Sequence, residues 1–288
     1  MPTTAEIASP LDGNKLYQER ARAALPLLVR QAAAAQPIVY SALAEELGMP
    51  NPRNLNYVLG SIGQAMVRLS KKWKTKIPPI QCLVVNKKTG LPGEGMDWFL
   101  TTKEDKEDFE KLPRRHRHRI IKAELQRIYA YPHWDKVLDE LDLEPIKTDF
   151  TDEVIKAAGG FGGSESAAHK RLKEYVAKNP HVVGLPKSTP DGTTECALPS
   201  GDFLDVSFKH KKFWIAVEVK SKVSDHSDII RGIFQCVKYQ AVLNAVLLSE
   251  SKAQDASAVL VLESVLPTDL RSLCNLLGVE VIDSVNPQ

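Results

Sequence analysis

The sequence predicts an α/β protein in two parts: a mainly helical N-terminal module, then an α/β domain whose mixed central sheet is flanked by helices. Three observations lead there. The 288 residues exceed what one ordinary core needs and suit two domains. The apolar periodicity reads as successive helices in the first half, and as helix, hairpin, helix, strand, helix, strand in the second. Between them AAGGFGGS, residues 157–164, carries four glycines in five residues and reads as loose coil. The expected divisions are a module over 1–100, a helical connector over 101–156, a linker over 157–164 and the second domain over 165–288.

Composition narrows the class. Hydrophobic residues make up 43% and charged residues 26%, which excludes wholesale disorder and fibrous or coiled-coil chains. No apolar run approaches the roughly 20 residues of a membrane-spanning helix, and MPTTAEIASPLDG lacks the layout of a signal peptide. A cytoplasmic protein with no membrane partner is expected. Cys82, Cys196, Cys236 and Cys274 are scattered without metal-ligand spacing, so reduced, mostly buried thiols are expected. Net charge is only +2, yet no acid lies between Glu46 and Glu94, where Arg53, Arg68, Lys71, Lys72, Lys74, Lys76, Lys87 and Lys88 concentrate.

In the first half, Lys15 to Ala35 is Ala-, Leu- and Arg-rich with one apolar side and predicts a helix bent at Pro26. VYSALAEELG predicts a short helix ended by Gly48, and a longer one starts near Arg53 and runs to Trp73. IQCLVV and MDWFL then flank NKKTGLPGEG as two strands and a wing. Three helices followed by a hairpin is the order of a winged helix-turn-helix. Residues 103–143 predict two further helices broken at Tyr131-Pro132, and the basic run Arg114–Arg119 among their many acids reads as a solvated face.

In the second half, SESAAHKRLKEYVAKNP predicts a helix stopping before Pro180; FLDVSF and FWIAVEV predict two strands joined by KHKK. A helix from about Asp228 to Leu248, the strand SAVLVLE, the helix DLRSLCNLLG and the strand VEVID complete the domain. In the second hairpin strand Ile215, Val217 and Val219 share one face, which places Glu218 and Lys220 together on the other. In the first, Leu204, Val206 and Phe208 form the apolar set, so Asp205 rather than Asp202 meets Glu218 across the ladder. Two carboxylates this close on a half-buried sheet repel unless a cation neutralises them. Mg²⁺ suits such a pair, with waters completing its shell, and activates water toward a phosphodiester. Lys220 would hold or deprotonate that water or balance phosphate charge.

Asp205 followed by Glu218-Val219-Lys220 resembles the PD-(D/E)XK nuclease superfamily. Gln235-Cys236-Val237-Lys238-Tyr239 is similar to the Q-x-x-x-Y element of its RecB-type members, and Glu165 matches an acidic residue on the first core helix. The resemblance implies a restriction-endonuclease-like core, with Asp205, Glu218, Lys220, Gln235, Tyr239 and Glu165 as catalytic residues. It implies Asp205, Glu218 and Val219 as ligands of Mg²⁺, for which Mn²⁺ substitutes. Arg231, one turn before Gln235, suits the scissile phosphate. Pro199-Ser200-Gly201-Asp202 departs from a plain Pro-Asp and leaves Asp202 as an alternative ligand.

Tyr40, VYSALAEELGMPNPRNLNYVL and IPPIQCLVVNKKTGLPGEG resemble the DNA-binding domain of alkylguanine alkyltransferases and alkyltransferase-like proteins. The family's reactive Pro-Cys-His-Arg is missing: Pro79, Ile80 and Gln81 follow Ile77-Pro78 and Cys82 is displaced, so alkyl transfer is not expected. The resemblance implies a winged helix with Arg53 at the start of the recognition helix. The basic surface supports the same partner: Arg68, Lys71, Lys72 and Lys74 suit phosphates, while Arg53, Asn54 and Tyr57 suit bases or an extruded nucleotide.

Together these readings predict a Mg²⁺-dependent DNA endonuclease acting on duplex, with restriction or phage defence as its setting. A homodimer is expected where both strands are cut by one site per chain. The rival is a catalytically silent DNA-binding sensor or adaptor on a nuclease-like scaffold, and a third reading is an RNA-cutting toxin on the same core.

Overall fold

A computed structural model describes residues 8–93, 112–146, 149–158, 165–210, 212–251 and 254–287. The chain divides into two compact units, Met1–Thr148 and Asp149–Gln288. The break precedes the glycine-rich stretch, because a helix over Thr151–Ala158, not anticipated from sequence, packs within the second unit. Residues 159–164 of that stretch lie outside the described residues.

The first unit begins with α1 (Leu16–Ala33), which continues through Pro26 and buries Leu25, Leu28 and Ala32. Next come β1 (Ile38–Val39), α2 (Tyr40–Glu46) and a 3-10 turn, Pro52–Asn54, in which the Asn51 side chain accepts from the Arg53 N–H at 3.0 Å. That turn leads into α3 (Leu55–Trp73), whose Leu55, Val58, Ile62, Ala65, Met66 and Leu69 form a buried stripe at helical spacing. Lys74, at φ +53°, turns the chain out of the helix. The expected strand IQCLVV is mostly something else. Ile80–Leu83 form a 3-10 turn after two prolines, and only β2 (Val84–Val85) is extended, pairing parallel to β1. Pro78 and Pro79 have no N–H to give a ladder, so regular pairing starts only beyond them. Asn86 to Gly90 closes a tight turn, with the Gly90 N–H donating to the Asn86 carbonyl at 2.8 Å. MDWFL, the expected second wing strand, lies outside the described residues. The helices α4 (Arg114–Tyr129) and α5 (Trp134–Glu140) break where expected and join the same core through Ile121, Ile128, Trp134, Val137 and Leu138.

The second unit is a five-stranded mixed sheet with helices on both faces. After α6 (Thr151–Ala158) and α7 (Ala167–Lys178) come β3 (Thr193–Ala197), β4 (Phe203–Lys209) and β5 (Phe213–Lys220). The chain continues through α8 (His226–Ser249), β6 (Asp255–Leu262), α9 (Arg271–Leu277) and β7 (Glu280–Ile282). The strand order is β3-β4-β5-β6-β7, antiparallel through β5 and parallel from β5 to β7. On one face α7 places Leu172 and Val176 against Val206, Phe208, Val217 and Val219. On the other, α8 places Ile229, Ile230, Ile233 and Leu243 against Leu204, Trp214, Ala216 and Leu260. Both faces of β5 and β6 are therefore covered, as their nearly continuous apolar runs require.

One part of the expected hairpin differs. Leu204 packs on the α8 side, whereas Val206 and Phe208 pack on the α7 side, so the three do not form one set. The strand turns between them. Opposite that point Glu195 has φ +52°, and the Glu195–Asp205 pair is missing from an otherwise regular register. A local twist of this kind re-aims the side chain at its centre, here Asp205.

All four cysteines are free, with Cys82, Cys236 and Cys274 buried and Cys196 half-buried, as expected. Among the described residues no helix is long and apolar enough to cross a membrane.

Candidate active site

The β4–β5 ladder runs from Lys209:Trp214 to Val206:Val217 and ends there, one pair short of Asp205:Glu218. Beyond it, a side chain takes over from the backbone: Asp205 Oδ2 accepts from the Val219 N–H at 2.8 Å. Glu218 and Lys220 alternate with Val217 and Val219, so they fall on the α8 side of β5, where both are buried. The Lys220 ammonium lies 3.1 Å from Glu218 Oε1 and 3.1 Å from Asp228 Oδ1. Tyr239, on α8, reaches both Glu218 Oε2 and the Phe203 carbonyl at 3.2 Å with a hydroxyl that has one proton to donate, while Gln235 Nε2 donates to its oxygen at 3.3 Å. Five residues named from sequence, Asp205, Glu218, Lys220, Gln235 and Tyr239, thus meet where two strands part.

The other expected residues are arranged differently. Glu165 is ion-paired with Lys173, which also pairs with Glu195, and its Oε1 is 3.8 Å from His169 Nε2. It is His169 that reaches Asp205, with Nε2 at 3.2 Å from Oδ1. Arg231 joins indirectly: its NH1 donates to Asp228 Oδ1 at 3.1 Å, the same oxygen that receives Lys220. Asp202 is held instead by Lys238 at 2.7 Å and by the Ser200 hydroxyl at 2.6 Å. Asp228 and Gly232 were not legible as site residues. Asp228 follows the helix cap, Asp225, whose carboxylate accepts its N–H at 2.8 Å. Gly232 faces Lys220: a Cβ there would stand 2.9 Å from Lys220 Cε and 2.9 Å from Leu260 Cδ1. Gly232→Ala is therefore expected to push the Lys220 stem aside. Overpacking of about 1–3 kcal/mol, offset by about 1 kcal/mol of better helix propensity, predicts a lower urea midpoint. A midpoint at or above wild type would contradict that packing.

Charge in the cluster is unbalanced. Burial, and then the negative charge of Asp205, push the Glu218 carboxyl up to about 7 against the opposing pull of Lys220. Burial works against the Lys220 ammonium, but Glu218 and Asp228 outweigh it and raise its pKa, so it stays charged at neutral pH. Burial together with Glu218 and Asp205 raises the Tyr239 phenol, which stays protonated. The hydrogen bond to Asp205 raises His169. Burial holds the Cys236 thiol well above its ordinary range, which removes it as a nucleophile.

These groups suit a small hard cation. Two carboxylates, completed by waters, are the usual Mg²⁺ complement, and Gln235 Oε1 is a buried acceptor with no donor among the described residues. Among the described residues no group of three or more His, Cys, Asp and Glu is spaced to hold a metal ion. Asp205 and Glu218 by themselves do not make a closed protein cage, and an ion held by them would need further oxygens.

In the first unit the residues expected at nucleic acid are mainly exposed. Arg53 and Asn54 stand in the 3-10 turn and Lys71 and Lys74 at the end of α3. Tyr57, 42% exposed, packs beside Tyr17 with ring centres 5.7 Å apart. Arg68 pairs with Asp12 at 2.7 Å and Lys72 with Glu140, acids from outside the acid-free segment, so the local excess of positive charge is smaller than the sequence suggests. No protein-family model matches the chain, and comparisons with curated proteins and with solved structures found no match to it.

Proposed function

We propose that the protein is a Mg²⁺-dependent DNA endonuclease with a PD-(D/E)XK-type site in its second unit and a winged-helix-like DNA-binding surface in its first. One observation carries the reading: where β4 and β5 separate, Asp205 bonds the N–H of Val219, the residue between the paired Glu218 and Lys220, close enough for its charge to act on Glu218, with Tyr239 and Gln235 bonded behind Glu218. Asp205 and Glu218 would hold the ion. Val219 has committed its N–H to Asp205, and its carbonyl oxygen would be its contribution to the ion. The bound ion would lower the pKa of a coordinated water and offset phosphoryl charge.

The remaining work falls to the chain. Lys220, kept as an ammonium, suits stabilisation of charge on the phosphate better than removal of a proton from water. Asp228 holds that ammonium in place and ties it to Arg231, whose guanidinium can fork onto a phosphate. Tyr239 and Gln235 fix the Glu218 carboxyl. Exposed Arg53, Asn54, Tyr57, Lys71 and Lys74 supply the duplex contacts.

The test is digestion of supercoiled plasmid, linear duplex, single-stranded DNA and RNA with Mg²⁺, for wild type, Glu218→Ala and Lys220→Ala. Wild type is expected to cut DNA, and both variants to bind duplex in a gel shift without cutting. Undiminished cutting by either variant would end the assignment. A wild type that binds plasmid but never nicks it with Mg²⁺ or Mn²⁺ would point to the silent sensor instead.

A further inference from the structure

Asp205 is held at both oxygens. The Val219 N–H takes Oδ2 at 2.8 Å, and His169 Nε2 lies 3.2 Å from Oδ1. A carboxylate only accepts, so Nε2 must carry the hydrogen. The strand alone could not fix this group, because the ladder has already ended at Val206:Val217. With only the Val219 bond, the carboxyl could still rotate about its side-chain torsions. The second bond comes from another element, α7, and crosses the face of the sheet.

His169 is itself set in place. It is the third residue of α7, in the turn where the Ser166 hydroxyl caps the helix by accepting the His169 N–H at 3.1 Å. Its side chain is 21% exposed and that of Asp205 is 14% exposed, so water competes only weakly for the bond. Glu165, just before the Ser166 cap, is drawn to Lys173 instead.

We propose that His169 is a positioning residue that locks the Asp205 carboxyl for a divalent cation, and that it, rather than Glu165, is the contribution of α7 to the site. The inference rests on the reading of Asp205 and Glu218 as cation ligands. Each oxygen of Asp205 retains one lone pair after the two hydrogen bonds, so holding the group does not use up its capacity to ligate. Partners that orient a ligand in this way typically account for a 10- to 100-fold change in metal affinity when removed.

Mn²⁺, titrated into the full-length protein and followed by the loss of its free-ion electron paramagnetic resonance signal, tests this without reference to cleavage. Wild type is expected to bind. His169→Ala should weaken binding by roughly 10- to 100-fold, and His169→Gln, whose amide N–H can still donate to Oδ1, should recover most of the loss. A merely structural role would not separate Gln from Ala, and circular dichroism shows whether both variants are folded. Wild-type affinity in His169→Ala, or a Gln variant no better than Ala, overturns the proposal. A wild type that takes up no Mn²⁺ would instead remove the carboxylate site, and the proposed function with it.

Discussion

Glu46→Ala is expected to destabilise the first unit by about 3–5 kcal/mol, because it strands a buried guanidinium. Arg30, buried in the last turn of α1, donates through NH1 and NH2 to both oxygens of Glu46 at 2.9 and 2.8 Å, and through Nε and NH2 to Gln31 Oε1. The two side chains are 3% and 9% exposed. A fork of this kind recovers much of the desolvation of both ions, but either ion alone recovers little. Against a total stability of about 5–15 kcal/mol for a typical protein, the loss would be plain in a urea titration as a lower midpoint at unchanged slope. Replacing both partners, Arg30→Met with Glu46→Leu, should lose far less than the single change, since no unpaired charge remains. A single-variant loss below about 1 kcal/mol would place the pair in the class of solvated surface bridges.

The second large effect is a dependence of stability on pH and on divalent ions. Glu218 titrates near 7 in the folded chain against an ordinary 4.5, so the native state holds a proton that the unfolded state has already released. Stability then falls as pH rises between these values. His169 acts in the same sense: its pKa is raised in the folded chain, so what it contributes below its ordinary value is lost as pH rises through the raised one. For Glu218 the difference corresponds to about 3 kcal/mol at 1.36 kcal/mol per unit. In chelator, the melting temperature is expected to drop from pH 5 to pH 8. Mg²⁺ should restore it mostly at pH 8, where the second carboxylate is ionised. A melting temperature that is flat in chelator, or an equal Mg²⁺ effect at both values, would be incompatible with a carboxyl pair in this setting.

Alternation within β5 made the site readable: Glu218 and Lys220 interrupt an apolar strand, and no solvated strand needs that pattern. The helical spacing of Gln235 and Tyr239 was equally direct. What escaped the sequence escaped for physical reasons. β3, TTECA, is largely exposed and has no apolar alternation to betray a strand. The turn in β4 between Leu204 and Val206 lies opposite Glu195, whose positive φ and missing ladder pair no apolar pattern signals. Asp228 looks like an ordinary first-turn acid of α8, and Gly232 like a tolerated helix glycine; each acquires its role only when Lys220 is folded against it. Glu165, expected on the helix, falls just before its Ser166 cap, whereas His169 stands in the first turn of α7, and only the packing of α7 across the sheet brings His169 to Asp205.

The fork in the β4–β5 hairpin also acts as a ruler. Because Val206:Val217 is the last pair and the acids come immediately after it, their spacing is measured from that pair and not from the tip at His210. Lengthening the tip would leave the measurement untouched, whereas one residue inserted between Asp205 and Val206 would swing the carboxyl to the opposite side of the sheet. Drift in this chain should therefore be tolerated at one end of the hairpin and forbidden at the other.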